Sequence, residues 1–178
     1  MLEDRQAGLL HIYTGDGKGK TTAAIGLAVR MCGAGRRVLF AQFLKGRPTA
    51  ELAPMRQLGI EICRTDPVIK FIGAMDEQER LQCRESCRQV FSAACSALQS
   101  GNYGLVILDE VLDAVSAGML EEKELQQALF SRAAETEAVL TGRSPSKELC
   151  QMADYFSFIQ AQKHPYERGI AARYGVEF

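Results

Sequence analysis

The chain predicts an α/β fold, a mainly parallel sheet flanked by helices. Three observations predict it. Apolar runs of strand length alternate with stretches of helical period along the whole sequence. A glycine-rich run, Thr14-Gly15-Asp16-Gly17-Lys18-Gly19-Lys20-Thr21-Thr22, stands between the apolar Leu9-Leu10-His11-Ile12-Tyr13 and the helix-like Ala23-Ala24-Ile25-Gly26-Leu27-Ala28-Val29. Finally, the apolar run Leu105-Val106-Ile107-Leu108, suited to a strand covered on both faces, ends in two acids, Asp109 and Glu110.

Each element follows from its own residues. The first strand is read at 9–13, and a helix from Lys20 that stops near Gly33, a natural left-handed cap. Residues 37–43 read as a buried second strand, 48–58 as a short helix ended by Gly59, and 60–63 as a third strand. The segment 66–72 reads as a loop punctuated by Pro67 and Gly73. Asp76 with Glu79 three later forms an acidic capping box. The helix it opens carries Cys83, Cys87, Val90, Phe91, Ala94 and Leu98 at the 3.6-residue period and ends at Gly101. After the strand at 105–108 come a helix over 121–134, a strand at 138–141, a helix opened by Ser144 and Pro145 that runs to about Ala153, and a last strand at 155–159. The tail from Lys163 reads as loop. All 178 residues fit one domain, without linker or repeat.

Composition narrows the class. A hydrophobic content of 47% supports a packed core, and a net charge of −1 argues against coating a nucleic acid. No apolar run reaches membrane-span length, and residues 1–6 lack a signal-peptide pattern, so a cytoplasmic protein with no membrane partner is expected. None of the six cysteines forms a C-x-x-C pair; Cys83 and Cys87 share a helix face and read as core thiols, kept reduced.

The glycine-rich run has the chemistry of a P-loop. Glycines let backbone N–H groups converge on an anion, and the helix N-terminus adds partial positive charge. Lys20 would reach the phosphates and Thr21 would place its hydroxyl on Mg²⁺. Thr14 stands where the usual pattern opens with glycine, and Lys18 adds a second cation inside the loop. Asp109 and Glu110 read as a Walker B pair, on a strand expected to neighbour the P-loop strand, with one acid on the metal and the other orienting a partner group or polarising a reactant. Lys45, after the second strand, and Arg143, after the fifth, could neutralise phosphate charge. His164, before Pro165 and Tyr166, could contact a base or a metal centre, whereas His11 reads as structural.

The ordered set of motifs resembles the CobA-type (BtuR/CobO) corrinoid adenosyltransferases. It comprises residues 14–22, Gln42-Phe43-Leu44-Lys45-Gly46, Val106-Ile107-Leu108-Asp109-Glu110, Leu140-Thr141-Gly142-Arg143, Ala153-Asp154, 163–170 and Gly175-Val176-Glu177-Phe178. The resemblance implies a RecA-like P-loop fold that transfers the 5′-deoxyadenosyl group of ATP to Co(I) of a reduced corrinoid, releasing triphosphate. It implies ATP and Mg²⁺ (or Mn²⁺) at the site, an electron donor such as flavodoxin or another reductase, and a homodimer. By position, Gly15, Asp16, Gly17, Lys18, Gly19, Lys20, Thr21 and Thr22 bind ATP, joined by Lys45 and His164. Thr21, Asp109 and Glu110 are the metal candidates, and Lys20, Glu110 and Arg143 the catalytic ones. The chain departs from the family at Lys70-Phe71-Ile72-Gly73-Ala74, where members carry a tryptophan, at Val111-Leu112-Asp113, where members carry an asparagine, and in having few residues before the first strand. Two other classes compete: a P-loop ATPase or phosphotransferase, and a non-catalytic nucleotide- or corrinoid-binding module.

Overall fold

Valine, leucine, isoleucine and phenylalanine dominate the inner strands because both faces of a parallel sheet are covered by helices. The computed structural model describes residues 7–45, 48–66 and 72–178. Gly46 and Pro67, with Lys70 and Phe71 of the Lys70–Ala74 departure, therefore lie outside the described residues. Strands β1 (Leu10–Thr14), β2 (Val38–Gln42), β3 (Glu61–Arg64), β4 (Leu105–Asp109), β5 (Glu137–Thr141) and β6 (Tyr155–Phe158) form one sheet in the order β3-β2-β4-β5-β1-β6. Every pairing is parallel. The carboxyl ends of all the strands thus share one edge, where ligands of such sheets collect. The strand carrying Asp109 is not beside the P-loop strand, as the sequence suggests: β5 lies between β4 and β1. The acid must reach across one strand, and polar groups on β5 can bridge the gap.

Alternation along the strands divides the core. Phe40, Leu105, Ile107 and Val139 pack on Ala24 and Ala28 of α1 (Lys20–Gly33). Leu39, Ala41, Val106, Leu108 and Leu140 face the other way, onto α3 (Glu77–Ser100) and α5 (Glu122–Phe130). Cys83 and Cys87 are buried there, both free, and burial pushes the Cys87 thiol up to about 12. A thiol in that state packs as a small hydrophobe.

α2 (Leu52–Gln57) is shorter than its sequence reading, and a 3₁₀ turn occupies Ile72–Ala74. The capping box of α3 forms: Glu79 N donates to Asp76 Oδ1 at 2.9 Å, and Asp76 N donates to Glu79 Oε2 at 2.9 Å. Two readings are corrected. α6 (Lys147–Met152) is capped by Ser146, whose hydroxyl accepts from Leu149 N at 3.1 Å. Ser144 instead takes a left-handed φ of 50°, which closes the β5 loop before Pro145 redirects the chain. A short helix, α4 (Val111–Ser116), follows β4 directly; the apolar run hid it, because strand and helix share that composition over so few residues. The tail is not wholly loop, since Pro165–Arg168 form a 3₁₀ turn.

Candidate phosphate and metal site

Gly19 caps α1 with φ 120°, without any side-chain hydrogen bond to the helix end. The first turn of α1 holds no acid, whereas those of α3 and α5 do. The positive end of α1 is therefore left for an outside anion. The loop feeding it is fixed by close backbone packing. A Cβ on Gly15 would lie 2.3 Å from the carbonyl oxygen of Ile159, and one on Gly17 would lie 2.8 Å from the same atom. Gly17 N donates to that oxygen at 2.8 Å, and Ala161 N donates to Asp16 Oδ1 at 3.1 Å. The segment leaving β6 clamps the loop.

Lys20 curls over its own loop, its Nζ donating to Gly15 O at 2.8 Å and Gly17 O at 2.9 Å. Burial and the neighbouring Arg143 cation push its pKa down, against the pull of Asp113, Glu110 and Asp16. A polyanion would relieve that strain on the ammonium. Lys18 and Thr22 are exposed at the mouth of the loop.

Asp109 is fully buried at the end of β4. Its Oδ1 accepts from Thr21 Oγ1 at 2.8 Å and from Thr141 Oγ1 at 2.7 Å, and its Oδ2 accepts from Gln42 Nε2 at 3.1 Å. Thr141 is the bridge across β5: its hydroxyl also accepts from Glu110 N at 2.9 Å. The two acids part company there. Glu110 takes φ 62°, leaves the strand direction and pairs with Lys45 at 2.7 Å. Burial pushes the Glu110 carboxyl up, against the attraction of Lys45. Burial costs the Lys45 ammonium too, but Glu110 and Asp109 outweigh it and hold it above its ordinary range. Arg64 Nη2 donates to Lys45 O at 2.8 Å and steadies that loop.

Among the described residues, the three non-glycine residues with positive φ, Leu44, Glu110 and Ser144, follow β2, β4 and β5 at this one edge. Such conformations cost of order 1 kcal/mol or more each and concentrate where side chains must be aimed. Sequence reasoning missed three participants. Gln42 and Thr141 are the last residues of apolar strands, and a polar residue at a strand end beside a P-loop was their available signal. Asp113 stands on the unforeseen α4. Its carboxylate packs against Gly142, beside the Arg143 backbone; burial pushes its pKa up, while Arg143 and Lys20 draw it down.

His164 is brought to the other flank of the loop. Its Nδ1 accepts from Tyr166 N at 3.2 Å, and with Lys18, Lys163 and Glu177 it lines a cleft of about 590 Å³. His11 lies apart, bonded to Glu137 Oε2 at 2.9 Å and stacked on Tyr155, as expected of a structural residue.

Among the described residues no group of three His, Cys, Asp or Glu could hold a metal ion alone. The donors present suit a hard cation shared with phosphate: a hydroxyl and a carboxylate already in contact, at Thr21 and Asp109. Gln42 Oε1, buried and without a partner among the described residues, adds an acceptor fit for a metal-bound water. The residues therefore fit Mg²⁺.

A strand, a glycine loop gripping a helix N-terminus, and a threonine bonded to a strand-end aspartate define a RecA-like P-loop protein. Solved structures agree on the fold. The assembled ATPase EscN of the enteropathogenic E. coli type III secretion system superposes with a TM-score of 0.51 at 16% identity, over 92% of this chain. The cytoplasmic domain of EssC does so at 0.50 and 14% identity, over 93% of this chain. The chain spans only 45% and 34% of those two structures. The family described as ATP:corrinoid adenosyltransferase BtuR/CobO/CobP matches residues 6–178, and the chain belongs to it. The corrinoid adenosyltransferase of Escherichia coli K12 is 32% identical over 97% of this chain and 87% of its own length. CobA of Salmonella typhimurium is 30% identical over the same shares. Membership makes the chain an enzyme of the corrinoid adenosyltransferase class. No helix among the described residues is long and apolar enough to cross a membrane.

Proposed function

We propose that this protein transfers the 5′-deoxyadenosyl group of ATP to the Co(I) of a reduced corrinoid and releases triphosphate. The observation that carries the reading is the joining of the phosphate loop to Asp109 through Thr21 and Thr141 in a chain of this family. In the step, the electron pair of Co(I) forms the bond to C5′, the C5′–O bond breaks, and the oxygen leaves with its pair as triphosphate. Cobalt ends as Co(III), and Co(I) is supplied beforehand by a donor such as flavodoxin or another reductase.

The chain's own residues have a limited task. Lys20, the loop N–H groups and Arg143 take up the charge that grows on the leaving group. Glu110 holds Lys45 at the same edge. Thr21 and Asp109 would hold Mg²⁺, which supplies further neutralisation of the triphosphate when bound. No activated side-chain nucleophile is needed, because the corrinoid brings its own. Alignment of cobalt, C5′ and the leaving oxygen, with water excluded, is what remains for the protein to provide. His164 and its cleft stand beside Lys18, within the stretch assigned to ATP.

The test is an anaerobic assay with ATP, Mg²⁺ and chemically reduced cobalamin, read by the cobalamin spectrum and by chromatography of the phosphate product. Adenosylcobalamin and triphosphate should appear in equal amounts. Lys20→Ala should lower the rate by about 10³-fold while the protein stays folded. Orthophosphate as the product would move the protein to the ATPase or phosphotransferase class. Tight binding of both substrates without turnover would make it a carrier module.

A further inference from the structure

The loop after β5 meets the start of α4 in a contact that phosphate binding alone does not require. Gly142 has φ 141°, and a Cβ there would lie 2.6 Å from Asp113 Oδ2 and 2.7 Å from Leu112 Cβ. Gly142 N donates to Tyr13 O at 3.3 Å, so the loop is threaded between β1 and α4. The Asp113 carboxylate, packed against Gly142, lies beside the backbone of Arg143 and acts electrostatically on both Arg143 and Lys20. An acid is thus packed on the loop that carries Arg143 and is felt by Lys20, in a site built for a polyanion.

We propose that Asp113 is a positioning residue that sets how tightly the site holds polyphosphate, anchoring the backbone of Arg143 while its charge opposes the anion. The inference rests on the function proposed above. Triphosphate keeps the whole charged tail of ATP, so a site that grips ATP by its tail grips the product as well. Binding shared equally by substrate and product does not speed the chemistry, and it delays release. A carboxylate held near Lys20 and Arg143 weakens both, while its packing against Gly142 keeps the base of the guanidinium in place. Geometry and charge can be separated by substitution. Asp113→Asn retains the side-chain shape that packs on Gly142 and loses the charge; Asp113→Ala loses both.

The experiment measures binding of ATP and of inorganic tripolyphosphate by titration calorimetry, with thermal melts as a check of folding. Asp113→Asn should bind tripolyphosphate about tenfold more tightly than the parent, equivalent to about 1.4 kcal/mol. In turnover it should lower kcat and KM for ATP together, with stronger inhibition by added tripolyphosphate. Asp113→Ala should gain less affinity, because Arg143 is released; Asp113→Ser serves the same purpose if the alanine variant unfolds. Unchanged or weaker tripolyphosphate binding by Asp113→Asn overturns the proposal. Equal tightening in the asparagine and alanine variants overturns its anchoring half. If the parent protein binds neither ATP nor tripolyphosphate, the functional reading falls and takes this inference with it.

Discussion

β5 and β6 pair with opposite edges of the same strand, β1, and hold the phosphate loop by different means. On the β5 side the grip is through side chains. Thr141 ends a strand buried from Ala138 onward and ties Asp109, Glu110 and, through Asp109, Thr21 into one network. On the β6 side the grip is through backbone. Every residue of β6 is exposed, yet its exit at Ile159 accepts from Gly17 N and presses against the alpha carbons of Gly15 and Gly17. Chemistry has been placed where water is excluded and polar groups can be aimed. Shape has been left to the backbone of a strand whose side chains are exposed.

The comparison is broken most severely from the backbone side. Gly15→Ala puts a Cβ 2.3 Å from a carbonyl oxygen at a φ of 115°, and no side-chain rotation can relieve a clash between backbones. The loop and the β6 exit must separate. We expect a stability loss of about 3 kcal/mol by urea unfolding, the upper range for overpacking. ATP binding should weaken by about a hundredfold, because the N–H groups no longer converge. Wild-type affinity in this variant would show that the clamp is incidental.

The side-chain grip should be weaker and more specific. Thr141→Val keeps the shape and removes one hydroxyl, which donates to Asp109 at 2.7 Å and accepts from Glu110 N at 2.9 Å. A buried N–H left without an acceptor costs roughly 1–3 kcal/mol, and we expect about 2 kcal/mol. ATP affinity in the presence of Mg²⁺ should fall further than affinity without it, since Asp109 loses one of the donors that aim it at Thr21. An equal fall in both conditions would place Thr141 among purely structural residues.

These two sides were unequally legible in the sequence. The β5 side carries its signals in residue types: glycines, Lys20 and Thr21, and acids ending an apolar strand all have local chemical reasons to stand where they do. Even so, Thr141 read only as part of a strand, because its partner on β4 is brought alongside by a strand order that no local pattern records. Asp113 went unassigned for a similar reason. It becomes part of the site only when α4 turns it toward the Arg143 backbone. The β6 strand was legible at 155–159, but its grip on the loop was not, since a backbone contact leaves its trace in a glycine that had a sufficient explanation already. Cap positions suffered at short range: Ser144 and Ser146 have the same chemistry, and the left-handed turn at Ser144 decides between them.

The smallest effect is expected from the exposed face of β6. Phe158 is 63% exposed, and Phe156 and Tyr155 are about half so. If the clamp is made by backbone, Phe158→Thr keeps a residue suited to a strand, leaves Ile159 in register with the loop and removes little buried surface. Stability should then change by no more than about 0.5 kcal/mol, and ATP affinity should not move. The same measurement sharpens the comparison if it fails. A loss above 1 kcal/mol that depends on protein concentration would mean that a second copy covers this aromatic row in solution. The outer strand would then be an interior one, and the contrast between the two flanks of β1 would belong to the isolated chain only.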